Sequence, residues 1–102
     1  MSPWRRRRFD ALVRRQLDLF AEDEVALLAE AEEAERRYDE AHRDRAEEAY
    51  GDFQLVLDSV ADALGDVQTS YAGTLDEEAA EEYETAFDRL AGRRFPLLRG
   101  RF

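Results

Sequence analysis

Apolar residues recur three and four positions apart through most of the chain, the spacing of one face of an α-helix. Phe9, Leu12, Val13, Leu17 and Phe20 form a first stripe. A second runs through Leu27, Leu28, Ala31, Ala34, Tyr38 and Ala41 and is rich in alanine, which allows close helix approach but buries little area. The third and longest comprises Ala46, Ala49, Tyr50, Phe53, Val56, Leu57, Val60, Leu64, Val67 and Tyr71. The fourth is Ala79, Ala80, Tyr83, Ala86, Phe87 and Leu90. No stretch alternates apolar and polar residues as a half-buried strand does, and Ala, Leu, Glu and Arg, all strong helix formers, fill the intervals.

Terminating signals divide this pattern into four helices. The first is predicted from about Pro3 or Arg8 to Phe20; Ser2 and Pro3 suit a cap and first turn, whereas four arginines there oppose the helix dipole. Asp23 is the expected N-cap of the second. A break is predicted near His42 to Asp44, where Asp44 and Glu47 resemble a capping box; the alternative is one continuous helix of about 50 residues. The third helix is expected to end near Gly73, with Gly51 and Gly65 inside it as marks of close packing by a neighbour. Thr74 and Glu77 form a second capping box, and Gly92 is the expected C-cap of the fourth helix.

Short connections between four amphipathic helices predict an all-α fold, an antiparallel up-and-down four-helix bundle over residues 1–92. Residues 93–102, Arg-Arg-Phe-Pro-Leu-Leu-Arg-Gly-Arg-Phe, are an Arg-rich C-terminal tail, extended at Phe95 because Pro96 follows. Its apolar residues imply docking, on its own domain or on a partner.

Charge changes the picture more than composition does. All 15 basic residues are arginine, and the net charge is -10. Residues 1–20 hold six Arg and two Asp, residues 21–92 five Arg and 23 acids, and residues 93–102 four Arg and no acid, for local charges of +4, -18 and +4. In an up-and-down bundle the chain's two basic ends meet at one pole of an acidic body. The candidate partner-binding residues are therefore Arg5, Arg6, Arg7, Arg8, Arg93, Arg94, Arg99 and Arg101, with Trp4 and Phe95 as aromatic anchors. Intramolecular pairing with the acidic helices is the purely structural reading of the same arginines.

Conventional catalysis finds little to build on. There is no cysteine, one histidine, no phosphate-binding glycine loop and no nucleophile elbow. The expectation is a protein that is not an enzyme and uses no cofactor. Glu35, Asp39 and His42 are a weak metal candidate if they share one helix face, half of a carboxylate–histidine site that a homodimer would have to complete. The tyrosines at 38, 50, 71 and 83 are read as core residues whose hydroxyls reach water.

No apolar run is long enough for a membrane span. Arg6-Arg7-Arg8-Phe9 loosely matches a twin-arginine export signal, but Asp10, Arg14, Arg15 and Asp18 interrupt the apolar region such a signal needs, so a cytoplasmic protein is expected. The leading reading is a small helical interaction or adaptor protein that docks a protein partner, or a second copy as a homodimer, through its Arg-rich pole. The alternatives are a nucleic-acid- or ribosome-associated factor using that pole, and a metal-binding bundle.

Overall fold

The computed structural model describes residues 7–102. Its first helix, α1, spans Asp10–Asp23 and buries Asp10, Val13, Leu17 and Phe20, the predicted stripe with one acid added. The expected Ser2–Pro3 cap lies outside the described residues.

Helix α2 spans Val25–Glu40, so one residue separates it from α1. The Glu24 N–H donates to the Phe20 carbonyl at 2.8 Å, and the Glu24 carbonyl accepts from the Leu28 N–H at 2.9 Å. The hydrogen-bond ladder thus passes through the junction, and Asp23 closes α1 instead of capping α2. No Gly or Pro interrupts this stretch, so a good capping residue type alone does not start a new helix.

Helix α2 stops at Glu40, where Ala41 turns extended with ψ 136°. Residues 41–45 carry no helix, which places the predicted break where it was expected. Helix α3 follows over Ala46–Ala72, about 40 Å long at 1.5 Å per residue. Its N-cap position falls at Arg45 and no side chain caps it, so Asp44 does not form the expected box. A Cβ placed on Gly51 or Gly65 meets no atom within 4 Å, so neither glycine marks a close neighbour.

Helix α4 spans Glu77–Arg94. Asp76, not Thr74, caps it, accepting from the Ala79 N–H at 2.9 Å, while the Thr74 hydroxyl donates back to the Tyr71 carbonyl. Glu77 and Glu78 in the first turn and Arg93 and Arg94 in the last complement the helix dipole. The helix runs through Gly92 and stops at Phe95, whose conformation the following proline restricts. Pro96–Leu98 then form one 3-10 turn, a tighter element than the extended tail expected.

Together these make an all-α four-helix bundle. Helix α3 packs back along α2, with Tyr38 beside Tyr50 near the hairpin turn. Helix α4 packs back along α3, with Tyr71 against Tyr83 and Gln68 donating to Asp88 at 2.8 Å. Helix α1 lies on α4. The first pairs on that seam are Arg8 with Glu82 and Phe9 with Tyr83; the last are Asp18 with Arg94 and Phe20 with Phe95. The two helices therefore run in the same sense. Direction alternates from α2 to α4, whereas α1 and α2 share one direction across Glu24.

Tyr83, Phe87, Leu64, Leu98, Val13 and Val60 are the largest fully buried side chains. They lie where α1, α4, the tail and α3 meet. Beyond them α2 and the first turns of α3 project as a two-helix arm, and the molecule measures 53 × 26 × 19 Å. Its radius of gyration is 15.9 Å, against about 13 Å for a compact domain of this length. No helix among the described residues is long and apolar enough to cross a membrane.

Candidate functional site

The shared direction of α1 and α4 decides where the arginines go. Arg8 sits at the start of the α1–α4 seam, its Nε 2.8 Å from Glu82 and its guanidinium 4.8 Å from the Phe9 ring centroid. Arg94 sits at the other end, donating to Asp18 at 2.6 Å. Arg8 and Asp18, the partner of Arg94, stand ten residues apart, about 15 Å along the helix axis. Among the described residues, then, the two basic ends do not gather at one pole. Trp4, Arg5 and Arg6 lie outside the described residues, and Arg7 is exposed.

The tail arginines divide in the same way. Arg101 reaches across to α3, donating to Gln54 at 2.7 Å and to Asp58 at 3.0 Å. Arg93 and Arg99 are exposed. Phe95 is half-buried, edge-on to Phe20 at 5.8 Å, and Leu98 is 1% exposed. The tail docks on its own domain. Three of the predicted partner-binding arginines, at 8, 94 and 101, are held in ion pairs with Glu82, Asp18 and Asp58.

What the fold does assemble is a shallow groove of about 320 Å³ between α1 and α4. Arg14, Arg93 and Arg94 line it, over the side chains of Leu17 and Leu90. Arg93 and Arg94 come from the predicted set. Arg14 was missed, because nothing local shows that its face of α1 meets the end of α4. Asp18 offsets Arg94, and Asp10 stands 3.9 Å from Arg14, so the groove keeps an excess of positive charge. Its last residues also lie at the C-terminal end of α4, where the helix dipole is negative and steadies cationic side chains. Three planar guanidiniums around an apolar floor suit a carboxylate- or phosphate-bearing group that has apolar neighbours.

Along the same α1–α4 seam, two part-buried polar contacts join the helices. Asp10, 4% exposed, accepts from Arg89 at 2.6 Å. The Tyr83 hydroxyl, fully buried, donates to Gln16 Oε1 at 2.8 Å. Burial pushes the Tyr83 hydroxyl up to about 12, since removing its proton would leave a charge in the core. Tyr83 thus meets a side chain where solvent was expected, whereas Tyr38 and Tyr50 are 36% and 48% exposed.

The metal candidate does not assemble. Helix α2 ends at Glu40, so His42 lies in the following turn and leaves the face that carries Glu35 and Asp39. Among the described residues no three His, Cys, Asp or Glu side chains gather as a metal site. On the outer face of α2 Arg36 instead pairs with Glu33 and Glu40. Hydrogen bonding from Arg36 holds the Glu33 carboxyl below its ordinary value, and the same partner raises Arg36 above its own. Comparison of the chain with protein families, with curated proteins and with solved structures finds no match in any of the three.

Proposed function

We propose that the protein is a non-enzymatic helical interaction protein that docks a partner protein through the arginine-lined groove between α1 and α4. The reading rests on one observation: Arg14, Arg93 and Arg94, distant in sequence, line a single groove over Leu17 and Leu90. An acidic peptide segment with an apolar side chain fits that chemistry, its carboxylates on the guanidiniums and its apolar group on the leucines. A long polyanion fits less well, because residues 21–92 carry a net charge of -18 and repel phosphates beyond the groove. The partner is accordingly a protein rather than a nucleic acid.

The test titrates a labelled peptide rich in glutamate and leucine, and separately a single-stranded oligonucleotide, into the intact protein at low and moderate salt. The peptide is expected to bind, with Arg14→Glu and Arg93→Glu each weakening it. Binding of the oligonucleotide alone, with a steep loss of affinity as salt rises, would favour the nucleic-acid alternative. Unchanged peptide binding by both charge-reversal variants would refute the assignment of the groove.

A further inference from the structure

A different face of the molecule, on the α2–α3 hairpin, points to a second kind of ligand. The chain's own C-terminal segment lies in that hairpin. Phe95, Leu97 and Leu98 face Leu28 and Ala31 of α2 and Leu57 and Val60 of α3 around an opening of about 580 Å³. Arg101 then donates to Gln54 and Asp58 of α3. The hairpin therefore already holds one peptide segment, with apolar side chains inward and a guanidinium on the Asp58 carboxylate and the Gln54 amide oxygen.

That segment stops short of the hairpin turn. Its furthest partner along α3 is Gln54, and α3 begins at Ala46, leaving eight residues or about 12 Å of helix beyond it. On α2 the lining of the opening ends at Glu35, whereas the helix continues to Glu40. Helical spacing places Tyr38 one turn beyond Glu35 and Tyr50 one turn before Gln54. The two tyrosine rings meet edge-on at 5.3 Å, and Tyr38 stacks on Phe53 at 6.2 Å. Both tyrosines stay substantially exposed, at 36% and 48%.

The surroundings are acidic. Residues 30–52 hold ten Asp and Glu against four Arg, a net charge of -6. Three of those arginines are already engaged, Arg36 and Arg37 with Glu33 and Arg45 with Glu48. Glu32 and Glu35 stand at the rim of the opening, with Asp39 one turn beyond Glu35 on the same helix. A second copy of this arm would bring acid against acid, and a nucleic acid or an anionic lipid surface would be repelled likewise.

We propose that this uncovered half of the α2–α3 hairpin binds a cationic peptide segment of a partner protein. The segment's aromatic or leucine side chain would lie on Tyr38 and Tyr50, and its arginines or lysines on Glu32, Glu35 and Asp39. Tyrosine faces take both apolar contact and a stacked guanidinium, so the pair suits such a segment on either count. The chain's own tail is the precedent, with Arg101 on Asp58 and Leu98 buried next to it. Arg94 lines both the opening and the arginine groove, but the tyrosine pair belongs to neither lining and the two sites take ligands of opposite charge, so either assignment can fail alone.

The experiment adds a short synthetic peptide bearing arginines and leucines to the intact protein and follows backbone amide shifts by NMR, with fluorescence anisotropy for affinity. A counterpart with every arginine replaced by glutamate is the control. Shifts from the arginine peptide are expected to centre on residues 35–39 and 47–54. The double variants Tyr38→Ser/Tyr50→Ser and Glu35→Gln/Asp39→Asn, none at a fully buried site, should each weaken binding by about tenfold or more. Three results would overturn the proposal: no shifts in that region, equal shifts there from the glutamate peptide, or shifts centred on Leu98 and Arg101 through displacement of the tail. Unchanged affinity in both double variants would overturn it as well.

Discussion

The two halves of α3 belong to one 27-residue helix yet live in different environments. In the second half Val60 and Leu64 meet the layer made by α1 and α4, where Val13, Tyr83, Phe87 and Ala91 are also sealed from solvent. In the first half Phe53, 8% exposed, faces an α2 stripe whose buried residues are Ala31 and Ala34. Alanine lets the helices approach but removes little apolar area from water, and hydrophobic stabilisation scales with that area. A uniform helical pattern therefore yields a well-anchored end and a thinly anchored arm. The difference teaches that the number of layers and the size of the facing side chains, more than helix propensity, decide where this domain's stability resides.

Substitutions sharpen the contrast in order of expected size. Phe87→Ala removes a side chain with no solvent exposure and should cost about 3–5 kcal/mol in urea denaturation, a large share of what a domain this small possesses. Tyr50→Ala on the arm, 48% exposed, should cost less than about 1 kcal/mol. Equal losses at the two sites would break the comparison.

Polar contacts should follow the same division. Asp10→Ala strands Arg89, whose side chain keeps 36% exposure, so the loss should be about 1–3 kcal/mol, below that of a fully buried pair. Removing Arg36, whose pairs with Glu33 and Glu40 are exposed, should leave the urea midpoint essentially unchanged, because solvent screens such pairs.

The seam should also fail at high pH. Tyr83 titrates near 12 in the fold and about 10 when unfolded. The protonated form is the one the fold favours. Its contribution is complete below pH about 10 and is lost as pH rises through about 12. Tyr83→Phe should cost about 1 kcal/mol at neutral pH by leaving Gln16 without its donor. It should also flatten the decline of the urea midpoint between pH about 10 and 12, and an unaltered decline would show that another group causes it.

The smallest effects should be gains. Gly51 and Gly65 have open space where a Cβ would stand, so Gly51→Ala and Gly65→Ala should each add about 0.5–1 kcal/mol and raise the melting temperature. A loss at either position would mean that a neighbour packs against it after all.

Much of the fold was legible in the residue pattern, because helix faces are local. The stripe Val13, Leu17, Phe20 and the series Phe53, Leu57, Val60, Leu64 are core as read, and the chain breaks between Glu40 and Ala46. The junction at Glu24 was less legible. Asp23 is a capping residue type, but continuing the hydrogen-bond ladder satisfies the same backbone groups without it. That single junction carries α1 onward in the direction of α2 and aligns it with α4, and it parts Arg8 from Arg94. The signal that ends α4 was present in Pro96, whereas Gly92 drew attention to itself three residues ahead of the actual C-cap, Phe95. Asp10 and Gln16 gave no local sign of their roles in the seam, since their partners Arg89 and Tyr83 lie 79 and 67 residues away. The arginine groove was half legible for the same reason: Arg93 and Arg94 stand out in a basic tail, and Arg14 joins them only through the packing of α1 on α4.

Native-state hydrogen exchange, residue by residue, tests the inequality of the two ends most directly. Amides around Leu64 in α3 and from Tyr83 to Ala91 in α4 should exchange only through global unfolding. Those from Ala31 to Glu40 and in the first two turns of α3 should open locally, with protection lower by about tenfold or more. Equal protection along both halves of α3 would contradict the account and leave the arm as firmly anchored as the rest of the bundle.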